Sequence, residues 1–215
     1  MAKAHRNKLL VEGVQDKRII PELIEANGVL WEFEKKPTVY IEDYSGYENL
    51  IDPVEIETQL DSSGLEALGM LVDADEHFQN RWDSVRNACL DSIPDLPNDL
   101  PDSGLVHRAP NGVRFGVWIM PNNRSIGMME TFLASMIPDE SEGLWQYAKA
   151  VVQEARKKNA PFLESHVDKA QIYTWLAWQD EPGRQLHQAV KYKILKPQHS
   201  KSKSFVDWFR QLYKL

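Results

Sequence analysis

The sequence predicts an α/β fold in which a mainly parallel sheet is flanked by helices. Apolar runs at residues 9–11 and 68–72 are typical of short buried strands, and each run ends in acidic residues. Both runs are followed by segments in which apolar residues recur at helical spacing, as Ile20, Leu23 and Ile24 do. This alternation over the first 135 residues favours a parallel sheet with helices on both of its faces.

The remaining elements follow from hydrophobic spacing and from turn residues. Gly28 is placed to end the first helix, and Pro53 suits a first helical turn. The sequence Pro110-Asn111-Gly112 is typical of a hairpin turn, and three prolines indicate a loop over residues 93–104. In chain order, the predicted elements are a helix over residues 16–26, a strand over 39–41, a helix over 53–60, a strand over 68–72, a helix over 79–92, strands over 105–109 and 113–120, a helix beginning near 127, and helices over 143–158, 169–179, 186–195 and 205–213.

Composition and charge suggest two parts. The content of 42% hydrophobic and 27% charged residues is ordinary for a soluble globular protein. We expect an α/β domain over residues 1–137 and an all-helical extension over 138–215 packed on it. Residues 184–215 carry a net charge of +7, and because the whole chain carries −7, the residues before them carry −14. This pattern suits a carboxylate-rich site beside a surface that contacts a polyanion, although a solvated helical face would explain the same lysines.

The sequence also bears on location. After the polar, basic residues 1–8 no apolar run is long enough for a signal peptide, and none in the chain approaches the length of a membrane span. The single cysteine, Cys89, rules out an internal disulfide and is expected to be buried. We therefore expect a cytoplasmic protein with no membrane partner. The oligomeric state is left open, with a homodimer as one option.

Five acidic residues are predicted to meet at one edge of the sheet. Glu12 follows the first strand and Asp16 opens the next helix, Asp73 and Asp75 follow a later strand, and Glu130 lies near the start of another helix. Neighbouring strand ends lie about 5 Å apart, so these carboxylates would repel one another unless a cation sat between them. Oxygen ligands favour Mg²⁺ or Mn²⁺ over zinc, which predicts a metal site suited to phosphoryl-transfer chemistry.

Helix capping is the competing explanation for Asp16 and Asp75. A carboxylate at the start of a helix accepts backbone N–H groups and interacts favourably with the helix dipole. Capping explains Asp16 as well as metal binding does, and Asp-x-Asp or Glu-x-x-x-Asp is a weak pattern by itself. The two patterns together, one after the first strand and one after a later strand, are more specific.

These motifs resemble those of the Toprim domain, the Rossmann-like, metal-binding fold of topoisomerases, bacterial primases and recombination-repair proteins. The resemblance is carried by Val11-Glu12-Gly13 and by Val72-Asp73-Ala74-Asp75, and it covers roughly residues 7–135. It implies an α/β fold of the kind that the hydrophobic pattern predicts.

A narrower resemblance comes from Glu12-x-x-x-Asp16 and Gly127-x-x-Glu130, which are similar to the OLD-type branch of Toprim proteins. That branch includes nucleases of bacterial defence systems. The whole chain, including the segments WIMPNN at 118–123 and TWLAWQ at 174–179, is also similar to a stand-alone bacterial family with a domain of unknown function.

The resemblance implies a role for each acidic residue. Glu12 would ligate metal or serve as an acid–base group. Asp73 and Asp75 would hold one or two Mg²⁺ ions, and Asp16 and Glu130 would complete a second metal site.

Two further features are implied by the OLD-type resemblance. These nucleases use a lysine from a later segment, for which Lys169 and Lys191 are both candidates. Full-length OLD proteins join a Toprim domain to an ATPase, yet no G-x-x-x-x-G-K-[ST] motif occurs in this chain. A separate ATPase subunit is therefore an expected partner.

Together these observations predict a metal-dependent nuclease that cuts DNA or RNA with water activated by Mg²⁺ or Mn²⁺, in a bacterial defence or repair context. One alternative is a non-catalytic module that binds nucleic acid or a partner ATPase. Another is a metal-dependent phosphatase, whose nucleophilic aspartate would stand where Glu12 does. For contacts to nucleic acid we predict one arginine before Glu130 and four lysines of the basic tail: Arg124, Lys193, Lys196, Lys201 and Lys203.

Overall fold

The computed structural model describes residues 5–31 and 37–215, so residues 1–4, part of the stretch considered for a signal peptide, lie outside the described residues. Five strands form one sheet. The strands are β1 (Asn7–Val11), β2 (Tyr40–Asp43), β3 (Ala67–Asp73), β4 (Leu105–Arg108) and β5 (Arg114–Met120). The α-helices are α1 (Val14–Ala26), α2 (Tyr47–Leu50), α3 (Pro53–Leu60), α4 (Phe78–Cys89), α5 (Met129–Ala134), α6 (Glu142–Lys157), α7 (Val167–Ala177), α8 (Leu186–Lys191) and α9 (Lys203–Tyr213).

The sheet has the strand order β2-β1-β3-β5-β4 and is parallel except at one edge. β1 lies between β2 and β3, and β3 pairs in turn with β5. Only β4 runs antiparallel, through its hairpin with β5. The prediction of a mainly parallel sheet flanked by helices is therefore confirmed, and the carboxyl ends of β1, β2, β3 and β5 share one edge.

The central strands are apolar throughout because both faces of the sheet are covered. Leu9 and Val11 of β1 pack on one side with α1 and the C-terminal helices. Leu10, the residue between them, packs on the other side with α3 and α4. A strand that is buried on both faces reads as a continuous apolar run, which is the pattern that identified β1 and β3 in the sequence.

The last helix, α9, lies directly against the sheet. Gly69 of β3 and Gly116 of β5 are paired neighbours, and a Cβ atom on either would come within 3 Å of Leu212 or Tyr213. The Tyr213 hydroxyl donates a hydrogen bond of 2.7 Å to the carbonyl of Lys8 on β1. The helical residues after 137 thus share a core with the sheet.

Most element boundaries differ from the sequence prediction by one to four residues, and three of these differences have a clear cause in the structure. β2 continues to Asp43 because it stays paired with β1 as far as Val11. α5 begins at Met129 rather than near 127, since Gly127 forms a bridge to Asp75. α8 ends at Lys191 rather than 195, and Lys193, two residues later, has a positive φ of 58°. In the described part of the chain, no helix has the length and apolar character needed to cross a membrane.

Candidate metal centre

Glu12 and Asp73 stand at the carboxyl ends of two adjacent strands. Glu12 follows β1 directly, and Asp73 is the last residue of β3. The Glu12 carboxylate accepts a 2.8 Å hydrogen bond from the backbone N–H of Asp73, which ties the two strand ends together. Burial, together with the charge of Asp75, raises the pKa of Glu12, while that hydrogen bond and the charge of Arg81 act in the opposite direction.

Asp16 lies in the first turn of α1 and is held by the turn before it. Its carboxylate accepts a 3.1 Å hydrogen bond from the backbone N–H of Gly13, so it does cap the helix. Burial raises its pKa from 3.8 to about 7, and the neighbouring charges of Glu12 and Glu130 push it in the same direction. The helix start thus directs Asp16 toward the other acidic residues, and capping does not exclude a second role.

Asp73 is at the centre of the group. Its Oδ1 atom accepts a 2.9 Å hydrogen bond from the backbone N–H of Met129, at the start of α5. The residue keeps some exposed surface, but its carboxyl is surrounded by protein atoms, and this burial raises its pKa well above 3.8. The four other predicted ligands add to that increase, in the order Asp16, Glu12, Glu130 and Asp75. All five predicted metal ligands therefore lie within electrostatic reach of one another.

Asp75 is positioned by the backbone of Gly127. The two residues exchange hydrogen bonds of 2.9 and 2.8 Å as an isolated antiparallel bridge. Gly127 has a φ of 130°, and a Cβ atom there would lie 2.6 Å from Oγ1 of Thr131. Only glycine suits this position. The Gly127-x-x-Glu130 pattern therefore has a structural reason, because it joins the loop after β3 to the start of α5.

Glu130 and Lys169 form an ion pair that faces the same group. Glu130, on α5, is 6% exposed, and the Nζ atom of Lys169, from α7, lies 3.3 Å from its carboxylate. Lys191, the other predicted lysine, instead pairs with Glu22 of α1, also at 3.3 Å. The structure thus brings Lys169 to the acidic residues and places Lys191 on a different surface.

An open cavity of about 590 Å³ adjoins these residues. Asp73, Asp75 and Glu130 supply its acidic side, and Lys169, which pairs with Glu130, lines the cavity beside them together with the turn before α7. Another wall is the first two turns of α4, with Arg81 near its centre. The acidic edge is therefore accessible to a ligand larger than a metal ion.

Sequence reasoning missed Arg81 and Tyr47. Arg81 donates to the Asp75 carboxylate, and its Cζ atom lies 3.5 Å from the centre of the Tyr47 ring. The available signal was the position of Arg81 in the helix that follows Asp73-Ala74-Asp75, which turns its side chain back toward the strand end. Tyr47 had no comparable signal, because it lies at the start of the short helix α2, away from any predicted strand end.

The residues predicted to contact nucleic acid are placed elsewhere. Arg124 forms a two-pronged ion pair with Asp102, and the four lysines belong to the segment from α8 to α9. None of the five is among the described residues that line the acidic cavity. Two of the lysines have acidic partners, in the pairs Lys196–Glu140 and Lys203–Asp207.

The ligand atoms of the acidic group are of the type that binds a divalent cation, but the positions of its side chains suit a cation less well. Within residues 5–31 and 37–215, no three His, Cys, Asp or Glu side chains are grouped so as to hold one metal ion. The carboxylates instead accept backbone N–H groups or pair with Arg81 and Lys169. However, the donors are all carboxylate oxygens, the set that Mg²⁺ and Mn²⁺ prefer, and a cation would relieve the repulsion that raises their pKa values.

Two solved structures of similar overall shape are the C-terminal region of the OLD protein from Xanthomonas campestris pv. campestris, phased with mercury and with platinum. The first is 14% identical, with a TM-score of 0.47 over 98% of this chain and 97% of that one. The second is 13% identical, with a TM-score of 0.46 over 98% and 94%. Likeness at this level is too low to transfer function.

Sequence comparison provides the family. No curated protein matches the chain. A family model described as "Protein of unknown function (DUF3226)" matches residues 6–214, which is nearly the whole sequence. The chain therefore belongs to the DUF3226 family.

Proposed function

We propose that this protein is a metal-dependent nuclease that hydrolyses phosphodiester bonds of DNA or RNA with Mg²⁺ or Mn²⁺. The observation that carries the proposal is the meeting of five carboxylates from β1, α1, β3 and α5 beside an open cavity. Proteins bring like charges together at such an energetic cost chiefly where a cation or a reaction uses them.

In this proposal Glu12, Asp73 and Asp75 hold a metal ion, and Asp16 and Glu130 complete a second site. When bound, the metal supplies activated water and neutralises charge on the phosphate. The raised pKa of Glu12 suits its carboxylate to accept a proton during hydrolysis.

Lys169 has a separate part in the proposal. Its ammonium group pairs with Glu130, and its side chain is 48% exposed and lines the cavity, so it can reach a phosphate without leaving the site. In this role Lys169 stabilises the negative charge that develops on the phosphate oxygens during cleavage.

One observation favours a second candidate, a non-catalytic module that binds nucleic acid or a partner ATPase. Two of the five carboxylates already face protein cations, Asp75 with Arg81 and Glu130 with Lys169. A site that is neutralised in this way by its own side chains has less need of a metal.

Plasmid cleavage with Mn²⁺ tests the nuclease. Glu12→Gln and Asp73→Asn keep size and hydrogen-bonding capacity but remove charge, and each should reduce cleavage by about 100-fold or more. Asp61→Asn is the matched control, because Asp61 is an exposed residue at the end of α3, six residues before β3 begins.

Equal cutting by wild type and the two site variants would identify a contaminant and overturn the proposal. Titration of Mn²⁺ by calorimetry separates the second candidate. Absence of carboxylate-dependent metal binding, together with absence of cleavage, would favour the non-catalytic module.

A further inference from the structure

Arg81 is held in the cavity by two unlike partners. Its guanidinium group lies over the Tyr47 ring, with Cζ 3.5 Å from the ring centre, and one of its nitrogens donates to Asp75. The side chain is only 14% exposed, against 41% for that of Asp75. This confinement fixes the plane of the guanidinium group beside the acidic edge, as stacking on an aromatic ring does in general.

The walls around Arg81 are lined by groups that can donate hydrogen bonds. The first two turns of α4 present polar side chains to the cavity, and the turn before α7 presents others. A cavity with carboxylates at one side and donors on two walls suits an anion that bridges the donors to a cation at the carboxylates. Besides Arg81, these donors are His77, Asn80, Ser84, Ser165, His166 and Lys169.

We propose that Arg81 binds a phosphate of the nucleic-acid strand, next to the bond that is cut, and that Tyr47 holds it in position. This inference rests on the proposed nuclease function and names the residue that places the substrate. The Asp75 carboxylate holds Arg81 in this structure. A cation at the acidic edge would compete with Arg81 for that carboxylate, and a phosphate oxygen would then replace Asp75 as the partner of Arg81. A planar guanidinium suits this exchange because it can donate two parallel hydrogen bonds to either group.

Strand binding tests the inference without relying on cleavage. Fluorescence anisotropy of a short fluorescein-labelled DNA or RNA strand, measured in Ca²⁺ at several salt concentrations, gives both the affinity and its salt dependence. Arg81→Gln should weaken binding by about tenfold and reduce the salt slope by about one. Arg81→Lys keeps the charge, so its salt slope should match the wild type although its affinity is lower.

Three other variants serve as controls. Tyr47→Leu removes the ring under Arg81 and should weaken binding, whereas Tyr47→Phe keeps the ring and should not. Arg6→Gln is matched to Arg81→Gln, because Arg6 also pairs with a carboxylate, Glu66, but is largely exposed beside the amino end of β1. A melting temperature is measured for each variant, so that a purely structural loss is seen as a lower melting temperature with an unchanged salt slope.

The outcomes separate this inference from the nuclease proposal. Cleavage by wild type, with unchanged strand affinity and salt slope in Arg81→Gln, would overturn the role of Arg81 and leave the nuclease standing. Arg81-dependent binding without cleavage would support the phosphate contact and count against the nuclease. If the wild-type protein binds neither strand, the inference is wrong.

Discussion

The carboxyl edge of the sheet and the basic segment at residues 184–215 both concentrate charge in the sequence, but the fold treats them differently. At the sheet edge, burial and the charges of neighbouring carboxylates raise the pKa values of both Asp16 and Asp73, because strand and helix ends hold like charges together. In the basic segment, half of the eight cationic side chains pair with acidic residues in the described part of the chain. The pairs are Arg184–Glu181, Lys191–Glu22, Lys196–Glu140 and Lys203–Asp207.

The two regions differ in what determines the position of each charged group. The sheet fixes the positions of the short carboxylate side chains at strand ends. Long lysine side chains are flexible and turn toward a nearby acidic residue. Exposed pairs of this kind contribute little to stability, in general about 0–1 kcal/mol each. A cluster of like charges fixed by topology is therefore stronger evidence for a site than a larger count of charges along a flexible segment.

The largest expected effect is the pH dependence of stability at the acidic edge. In the folded protein the pKa of Asp16 is about 7, so between pH 3.8 and about 7 the folded state keeps a proton that the unfolded chain releases. In EDTA, stability should therefore fall as the pH rises through this window, by an upper limit of about 4 kcal/mol from this residue. Urea unfolding should show a shallower fall for Asp16→Asn, with Asp61→Asn as control, and parallel curves for the wild type and Asp16→Asn would contradict the expectation.

The two lysines give the next largest effect. Lys169→Ala should reduce cleavage by about 100-fold, because it removes the cation beside Glu130. Lys191→Ala should change it by no more than about twofold, since Lys191 pairs with Glu22 on another surface. Initial rates of plasmid cleavage in Mn²⁺ compare the two directly. Equal losses would mean that the basic segment takes part in the chemistry.

Gly127 tests whether backbone geometry positions the acids. Gly127→Ala forces a side chain into a φ of 130° and toward Thr131, so we expect a loss of about 2 kcal/mol in the free energy of unfolding. Gly143→Ala is the matched control, because Gly143 lies in α6 with open space around it, and alanine there should stabilise by up to about 1 kcal/mol. Urea unfolding measures both, and a neutral Gly127→Ala would show that the Asp75 bridge is dispensable.

The smallest effect should come from the basic segment. Replacing Lys193 and Lys201 together by alanine should weaken strand binding by about threefold at low salt, with the difference vanishing near 0.5 M, where the Debye length is only about 4 Å. Anisotropy titrations at several salt concentrations provide the measurement. A loss that persists at high salt would show a specific contact and reverse the ranking of the two regions.

The acidic edge could be predicted because the end of a central strand can be recognised in a sequence. A run that is apolar on both faces marks a central strand, and the polar residue at its end must lie at the sheet edge. Glu12, Asp73 and Asp75 were found in this way. Glu130 was included because it lies near the start of the helix predicted after the strand over residues 113–120, and the resemblance to OLD-type proteins gave it a role.

Other features depend on contacts that no local pattern encodes. The choice between Lys169 and Lys191 is decided by how α7 and α8 pack, and both segments look alike in charge and spacing. Arg81 and Tyr47 meet only because the fold places the start of α2 against the first turn of α4. The position of α9 on the sheet depends on Gly69 and Gly116 being paired, which requires knowledge of the strand order.

The hydrogen bond from Tyr213 to Lys8 has a consequence for how the protein is made. It joins the first strand to the last helix, across 205 positions of the chain. The part of the sheet over the glycines of β3 and β5 stays uncovered until α9 has left the ribosome, since α9 packs on those glycines. Because Glu12 and Asp73 stand at the ends of β1 and β3, the acidic edge should take its final form only after α9 has packed on the sheet.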